Sequence, residues 1–142
     1  MTSDTAVDSC VAVKWVLNEV DSPKARQLGT DVTSSGGKLY VLDIIFAEVG
    51  NAIWKQFVRG LITQAEAERY LKEFNKSPLE VVESRRLQVS AFAIACEYRK
   101  SFYDSLFVAL AADRNLLGVT ADEPLYRAVH PDFPNIILLR NW

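Results

Sequence analysis

Cysteine and histidine are nearly missing from this chain. Two cysteines, Cys10 and Cys96, in 142 residues are too few for a disulfide framework, and they show neither C-x-x-C nor Cys/His spacing, which excludes a thiolate metal module. Both are expected to be buried free thiols in a reducing compartment. A single histidine, His130 in Val129-His130-Pro131, excludes acid–base chemistry by a pair of imidazoles and is expected at the surface or at a helix end. No run approaches the roughly 18 uninterrupted apolar residues of a membrane span, and the start Met1-Thr2-Ser3-Asp4 is polar where a signal peptide would be basic and then apolar. A cytoplasmic location without membrane contact is expected. Charge of one sign is lacking too: 16 basic against 18 acidic side chains leave −2. No global basic field is therefore available for tight, sequence-independent nucleic-acid binding, and any such partner must be held locally. Neither G-x-x-x-x-G-K-[ST] nor G-x-G-x-x-G occurs, so no phosphate cradle of those kinds is indicated.

What is present is a globular composition, with 49% hydrophobic and 24% charged residues, which excludes intrinsic disorder. No internal repeat, low-complexity tract or Pro-rich linker divides the chain, so a single domain over residues 1–142 is expected. Short apolar runs at Thr5–Val7, Leu39–Leu42, Leu79–Val82, Leu117–Thr120 and Asn135–Leu139 read as strands. Between them lie helical stretches: Val11–Leu17, a weaker one at Pro23–Val32, Ile44–Arg59 with Asp43 as N-cap, and Gln64–Phe74 opened by Thr63. Further helices are expected from Ser84 to Tyr98, from Tyr103 to Asn115 and from Asp122 to Val129. Four-residue apolar strands alternating with helices predict an α/β three-layer sandwich around a mostly parallel sheet of about five strands.

In such a sheet ligands bind outside the carboxyl ends of the strands. The polar residues there are mostly acids: Asp8 ends the first strand, Glu48 follows the second, Asp104 opens the helix near Tyr103, and Asp122 follows Thr120. Each acid alone has a plain explanation as a helix cap or a solvated side chain. Their surroundings are apolar, however, and several acids brought together repel one another. A divalent cation with oxygen ligands, Mg²⁺ or Mn²⁺, is the simplest compensation.

Four segments in order carry a family resemblance: Val7-Asp8-Ser9-Cys10-Val11-Ala12-Val13-Lys14-Trp15, Glu48-Val49-Gly50-Asn51-Ala52-Ile53, Tyr103-Asp104-Ser105-Leu106-Phe107-Val108-Ala109-Leu110-Ala111 and Val119-Thr120-Ala121-Asp122. Together they resemble the signatures of PIN-domain ribonucleases, in particular the VapC-like toxins of toxin–antitoxin pairs, over about Thr5 to Leu139. No one segment is specific; the set in order is. The resemblance implies a PIN-like fold and hydrolysis of RNA phosphodiester bonds. It assigns metal ligation and catalysis to Asp8, Glu48, Asp104 and Asp122, with Asn51 and Thr120 as supports. Helical spacing also puts Asn51 on the face of Glu48. It further implies an antitoxin partner and a homodimer. Two positions depart from the pattern: Val41-Leu42-Asp43 lacks the proline common before the Glu-bearing helix, and Gly50 replaces a common alanine. Neither is a ligand position.

Other readings stand beside this one. A non-catalytic α/β Mg-binding regulatory module of the receiver type also gathers acids at strand ends. It needs an acidic pair at the first strand and a lysine after the last, and Asp8 alone and Leu138-Leu139-Arg140 supply neither. A PIN-fold nuclease of RNA processing without an antitoxin, or a degenerate PIN scaffold, would share the fold. Cys10 reads as a packed thiol. Arg85-Arg86 and Arg99-Lys100 read as a solvated face, or as phosphate contacts if they flank the acids. Asp21, Asp31, Asp132 and Glu123 are expected in solvent, with Glu123 a possible contact to a second metal. The helix Ile44–Arg59 carries Phe46, Trp54, Phe57 and Val58 beyond a single apolar stripe, and its neighbour adds Tyr70, Leu71 and Phe74. The two helices either bury this surplus against each other or leave a groove for an amphipathic antitoxin helix.

Overall fold

The computed structural model describes residues 4–142; Met1, Thr2 and Ser3 of the polar start lie outside them. Five strands, β1 (Thr5–Val7), β2 (Leu39–Leu42), β3 (Leu79–Val82), β4 (Leu117–Thr120) and β5 (Ile136–Leu138), form one sheet in the order β3-β2-β1-β4-β5. All four pairings are parallel. Seven α-helices are described: α1 (Ser9–Ala12), α2 (Ser22–Ser34), α3 (Ile45–Val58), α4 (Gln64–Phe74), α5 (Gln88–Tyr98), α6 (Phe102–Asp113) and α7 (Glu123–Val129).

Alternation along the strands divides the core into two layers. Ala6, Leu42 and Ile136 point to the cluster built on α5, α6 and α7, while Val7, Val41 and Val119 point to the cluster beneath α1, α2, α3 and α4. The sheet is therefore covered on both faces, the three-layer arrangement expected. Helix α6 is its tightest neighbour: every residue from Ser105 to Ala111 is buried, as a helix apolar all round requires. Gly118 lets it approach. A methyl group there would stand 2.8 Å from Ile136 Cδ1, 3.0 Å from Ala111 Cβ and 3.2 Å from Phe107 Cζ.

Local chemistry sets the helix ends, and it corrects several expectations. The helix expected over Val11–Leu17 is replaced by the four-residue α1 and a 3₁₀ turn at Val13–Trp15. The β-branched Val11, Val13 and Val16 are weak helix formers, and Ser22 Oγ takes the Leu17 carbonyl at 2.8 Å, ending the turn. Asp43 does not cap α3; Ile44 holds that position with no side-chain cap, while the Asp43 N–H is drawn 3.0 Å to the Val82 carbonyl at the end of β3. Asp104 does not open α6 either. Ser101 is the cap, accepting the Asp104 N–H at 3.1 Å, which leaves Asp104 inside the first turn and not at its cap. The segment from Ser84 begins as a 3₁₀ turn before α5. Cys96 is exposed on α5, because that helix buries only Ala91 and Ile94. Thr63 caps α4 as expected, in a reciprocal box with Glu66.

Candidate active site

The strand order reverses direction between β1 and β4, the point where a doubly wound sheet opens a crevice. Asp8 leaves the end of β1 with its N–H on the Val119 carbonyl of β4, 3.1 Å away. Its carboxylate caps α1 by accepting the Ser9 N–H at 2.9 Å, and its other oxygen accepts Thr120 Oγ1 at 2.8 Å. Thr120 is fully buried, and its hydroxyl also accepts the Asp122 N–H at 3.1 Å. One threonine thus ties the carboxylate of β1 to the turn that presents Asp122. Asp122 caps α7 through Leu125 N at 3.0 Å. Glu48 stands in the first turn of α3, where Ser9 Oγ donates to its Oε2 at 3.2 Å.

Electrostatics show how near the four acids lie. Burial, helped by the charge of Asp104, raises the Asp8 carboxyl to about 6 against the hydrogen bonds that favour its charged form. Part of the residue reaches solvent, yet the carboxyl itself is walled in. Burial and then the Asp104 charge raise Glu48. Burial, with the charge of Asp122, raises Asp104, opposed by Ser101 and by the Lys100 cation. Asp8 and Glu48 both feel Asp104, and Asp104 feels Asp122, a chain of repulsion that links the four segments.

A crevice of about 10 Å³ lies between Asp8, Ser9, Glu48 and Tyr103, floored by apolar side chains including Leu42 and Phe107. That is room for roughly one water or one small ion. Among the described residues no three carboxylates, thiols or imidazoles stand close enough to hold an ion as they are placed. The chemistry of the donors nevertheless fits a hard divalent cation: all are carboxylates, and Asp104 repels both Asp8 and Glu48. Were an ion bound here, Asp8, Glu48, Asp104 and Asp122 would be its candidate donors.

Asn51 is exposed one turn beyond Glu48 and makes no hydrogen bond to the acids among the described residues. Glu123 is engaged elsewhere, paired with Arg127 and, at 3.2 Å, with Arg140, which hold its carboxyl below the usual range. His130 sets Nδ1 3.1 Å from the Ile136 carbonyl and packs on Tyr126, a structural position. Arg85 pairs with Glu83 at 3.2 Å on the surface. Two site residues were not singled out from sequence. Ser9 was hidden by its place in a helix start, although adjacency to Asp8 was a signal. Cys10 read as an apolar packing residue, yet its Sγ lies 3.5 Å from Asp8 Oδ2 and 3.4 Å from Thr120 Oγ1 and accepts the Ala121 N–H at 3.2 Å. Burial and the Asp8 charge push its thiol up, so it stays protonated.

An acid cluster at the switch point of a small, fully parallel five-stranded sheet defines a class. The chain belongs to the PIN-domain family, whose model matches residues 5–130. Within it the chain is 37% identical over 106 residues to Ribonuclease VapC3 of Pyrobaculum aerophilum, covering 72% of this chain and 76% of that one. It is 34% identical over 88 residues to Exonuclease VapC9 of the same organism, covering 62% and 65%. The fold is shared with PAE2754 from Pyrobaculum aerophilum, at a TM-score of 0.73 and 24% identity over 98% of this chain and 85% of that one. It is shared also with a chain of a toxin-antitoxin complex from Klebsiella pneumoniae, at 0.66 and 13% over 96% and 98%.

Proposed function

We propose that the protein is a metal-dependent endoribonuclease, the toxin of a toxin–antitoxin pair, that hydrolyses RNA phosphodiester bonds. The observation that carries this reading is the enclosed Asp8 carboxyl, held by Ser9 and Thr120 and facing the charge of Asp104. A bound Mg²⁺ or Mn²⁺ would supply Lewis acidity at the scissile phosphate and a water made acidic enough to attack it. The chain's own residues supply position. Thr120 and the Ser9 amide hold Asp8 ionised and fixed in direction, Ser9 Oγ holds Glu48, and the Thr120 hydroxyl sets the turn of Asp122.

Attack by water in line needs no 2′-hydroxyl nucleophile, so the fragments should carry 5′-phosphate and 3′-hydroxyl ends. Purified protein incubated with RNA and Mn²⁺, with and without chelator, tests this: cleavage that survives chelation, or fragments ending in 2′,3′-cyclic phosphate, would defeat the mechanism. One relative is named an exonuclease, which gives a second reading. Circular RNA separates the two, since it is opened by an endonuclease and left intact by an exonuclease.

The antitoxin belongs to the same proposal. Between α3 and α4 lies a groove of about 260 Å³ lined by Gly50, Ile53, Trp54, Phe57, Ala67 and Leu71, among others. Trp54 and Phe57 keep 57% and 42% of their surface in water, so the two helices do not absorb the apolar surplus between themselves. An amphipathic antitoxin helix fits there, with a basic residue reaching the acids. A homodimer and a cytoplasmic setting complete the reading; no helix among the described residues is long and apolar enough to cross a membrane.

A further inference from the structure

Tyr103 sits in the first turn of α6, immediately before Asp104. It lines the same small crevice as Asp8, Ser9 and Glu48, yet 62% of the residue remains in water. The buried side of α6 begins only at Ser105, so the core does not need this ring. Among the described residues its hydroxyl makes no hydrogen bond. A large aromatic left open at the mouth of an acidic crevice loses the burial that would stabilise it in the free protein.

The charge around it sharpens the question. The crevice is acidic, the chain has a net charge of −2, and the cation that acts on Asp104 among the described residues is Lys100. Attraction of phosphates by the protein's own charge is therefore weak, and substrate must gain affinity from contacts that do not depend on charge. Stacking of a base on an aromatic face is such a contact, and it tolerates any sequence because every base has a π-face.

We propose that Tyr103 is a base-stacking platform that receives the nucleobase beside the scissile phosphate and so registers the RNA over the carboxylates. This rests on the ribonuclease reading above. It restricts the substrate class to single-stranded or splayed-out RNA, since a base inside a duplex keeps its faces stacked on its neighbours.

The test uses the full chain with Mn²⁺ and a single-stranded oligoribonucleotide whose cleavage position has been mapped. Tyr103→Ala is expected to raise KM about tenfold or more with a smaller loss in kcat, and Tyr103→Phe to stay within about twofold of the parent. In a series of the same oligonucleotide lacking one base at a time, the parent should lose affinity at one position beside the cleaved bond, and Tyr103→Ala should lose nothing further there. Phe92 is equally exposed, at 62%, but lines a separate hollow with Val89 and Phe102; Phe92→Ala should keep the parental KM. A parental KM for Tyr103→Ala overturns the proposal. So does an equal loss in Tyr103→Phe, which would assign the hydroxyl rather than the ring face, or an equal rise in Phe92→Ala, or a parent indifferent to every missing base. Failure of the parent itself to cut RNA overturns the ribonuclease reading instead, and the platform with it.

Discussion

Burial raises Asp8, Glu48 and Asp104, and charge adds to it: Asp104 acts on Asp8 and Glu48, and Asp122 on Asp104. Asp104→Asn should therefore leave the fold intact without metal, with unchanged or higher thermal stability, because it removes repulsion from the cluster. Cleavage should fall by more than the roughly 10- to 100-fold that loss of an outer supporting group costs; parental rates at saturating Mn²⁺ would remove Asp104 from the mechanism. Asp8 gives a pH dependence whose sign is opposite to that of a salt-bridged acid. Its carboxyl moves from an ordinary 3.8 up to about 6 on folding, so the folded state binds the proton more tightly. The stability this contributes is complete below about pH 4 and is lost as pH rises through about 6, at most about 3 kcal/mol. Melting of metal-free protein from pH 4 to 7 should show this decline, and Asp8→Asn should flatten it. An unchanged slope in Asp8→Asn would place its origin elsewhere.

At the scale of elements, the position of the site depends on how closely α6 lies on the sheet. Gly118 in β4 faces Ala111 and Phe107 of α6 and Ile136 of β5 with no room for a methyl. Gly118→Ala is expected to destabilise by about 1–3 kcal/mol in urea titration, since buried neighbours on two elements must move. Because α6 carries Asp104, activity should fall with it even in the folded fraction. The same helix holds a polar atom with nothing to bond: Ser105 Oγ is fully buried and has no hydrogen-bond partner among the described residues. Ser105→Ala should be neutral or stabilising by about 1 kcal/mol; a loss of stability in the same titration would reveal a partner for the hydroxyl.

On the scale of the whole molecule, the acidic crevice and the proposed antitoxin groove are built from different faces of one α3. Its first turn gives Glu48 to the crevice, while Trp54 and Phe57 further along open onto the groove shared with α4. An antitoxin seated in that groove is thereby continuous with the helix that holds a site acid. Trp54→Glu and Phe57→Glu, both at well-exposed positions, should preserve the fold and lower the affinity for the cognate antitoxin by about 30-fold or more, at least as much as neutralising the acids. Calorimetric titration showing parental affinity for both variants would move the interface to another surface.

The strands, their parallel pairing and the three layers are legible in the chain alone. Those follow from local periodicity: short apolar runs at β1, β2 and β3 and a helix that is apolar all round at α6 admit few other arrangements. It also marked Asp8, Glu48, Asp104 and Asp122, because acids just past apolar strands or inside apolar helices are conspicuous. Only the tertiary structure decided how they are held. Whether Asp43 or Ile44 begins α3 depended on the Val82 carbonyl of a strand about forty residues away. Whether Glu123 faced a metal or two arginines depended on where the C-terminal Arg140 lands. Cys10 became a neighbour of Thr120 only when β1 paired with β4. A side chain's partners across the sheet are set by long-range register, which no local pattern encodes, and the chemistry of this site is made of such partners.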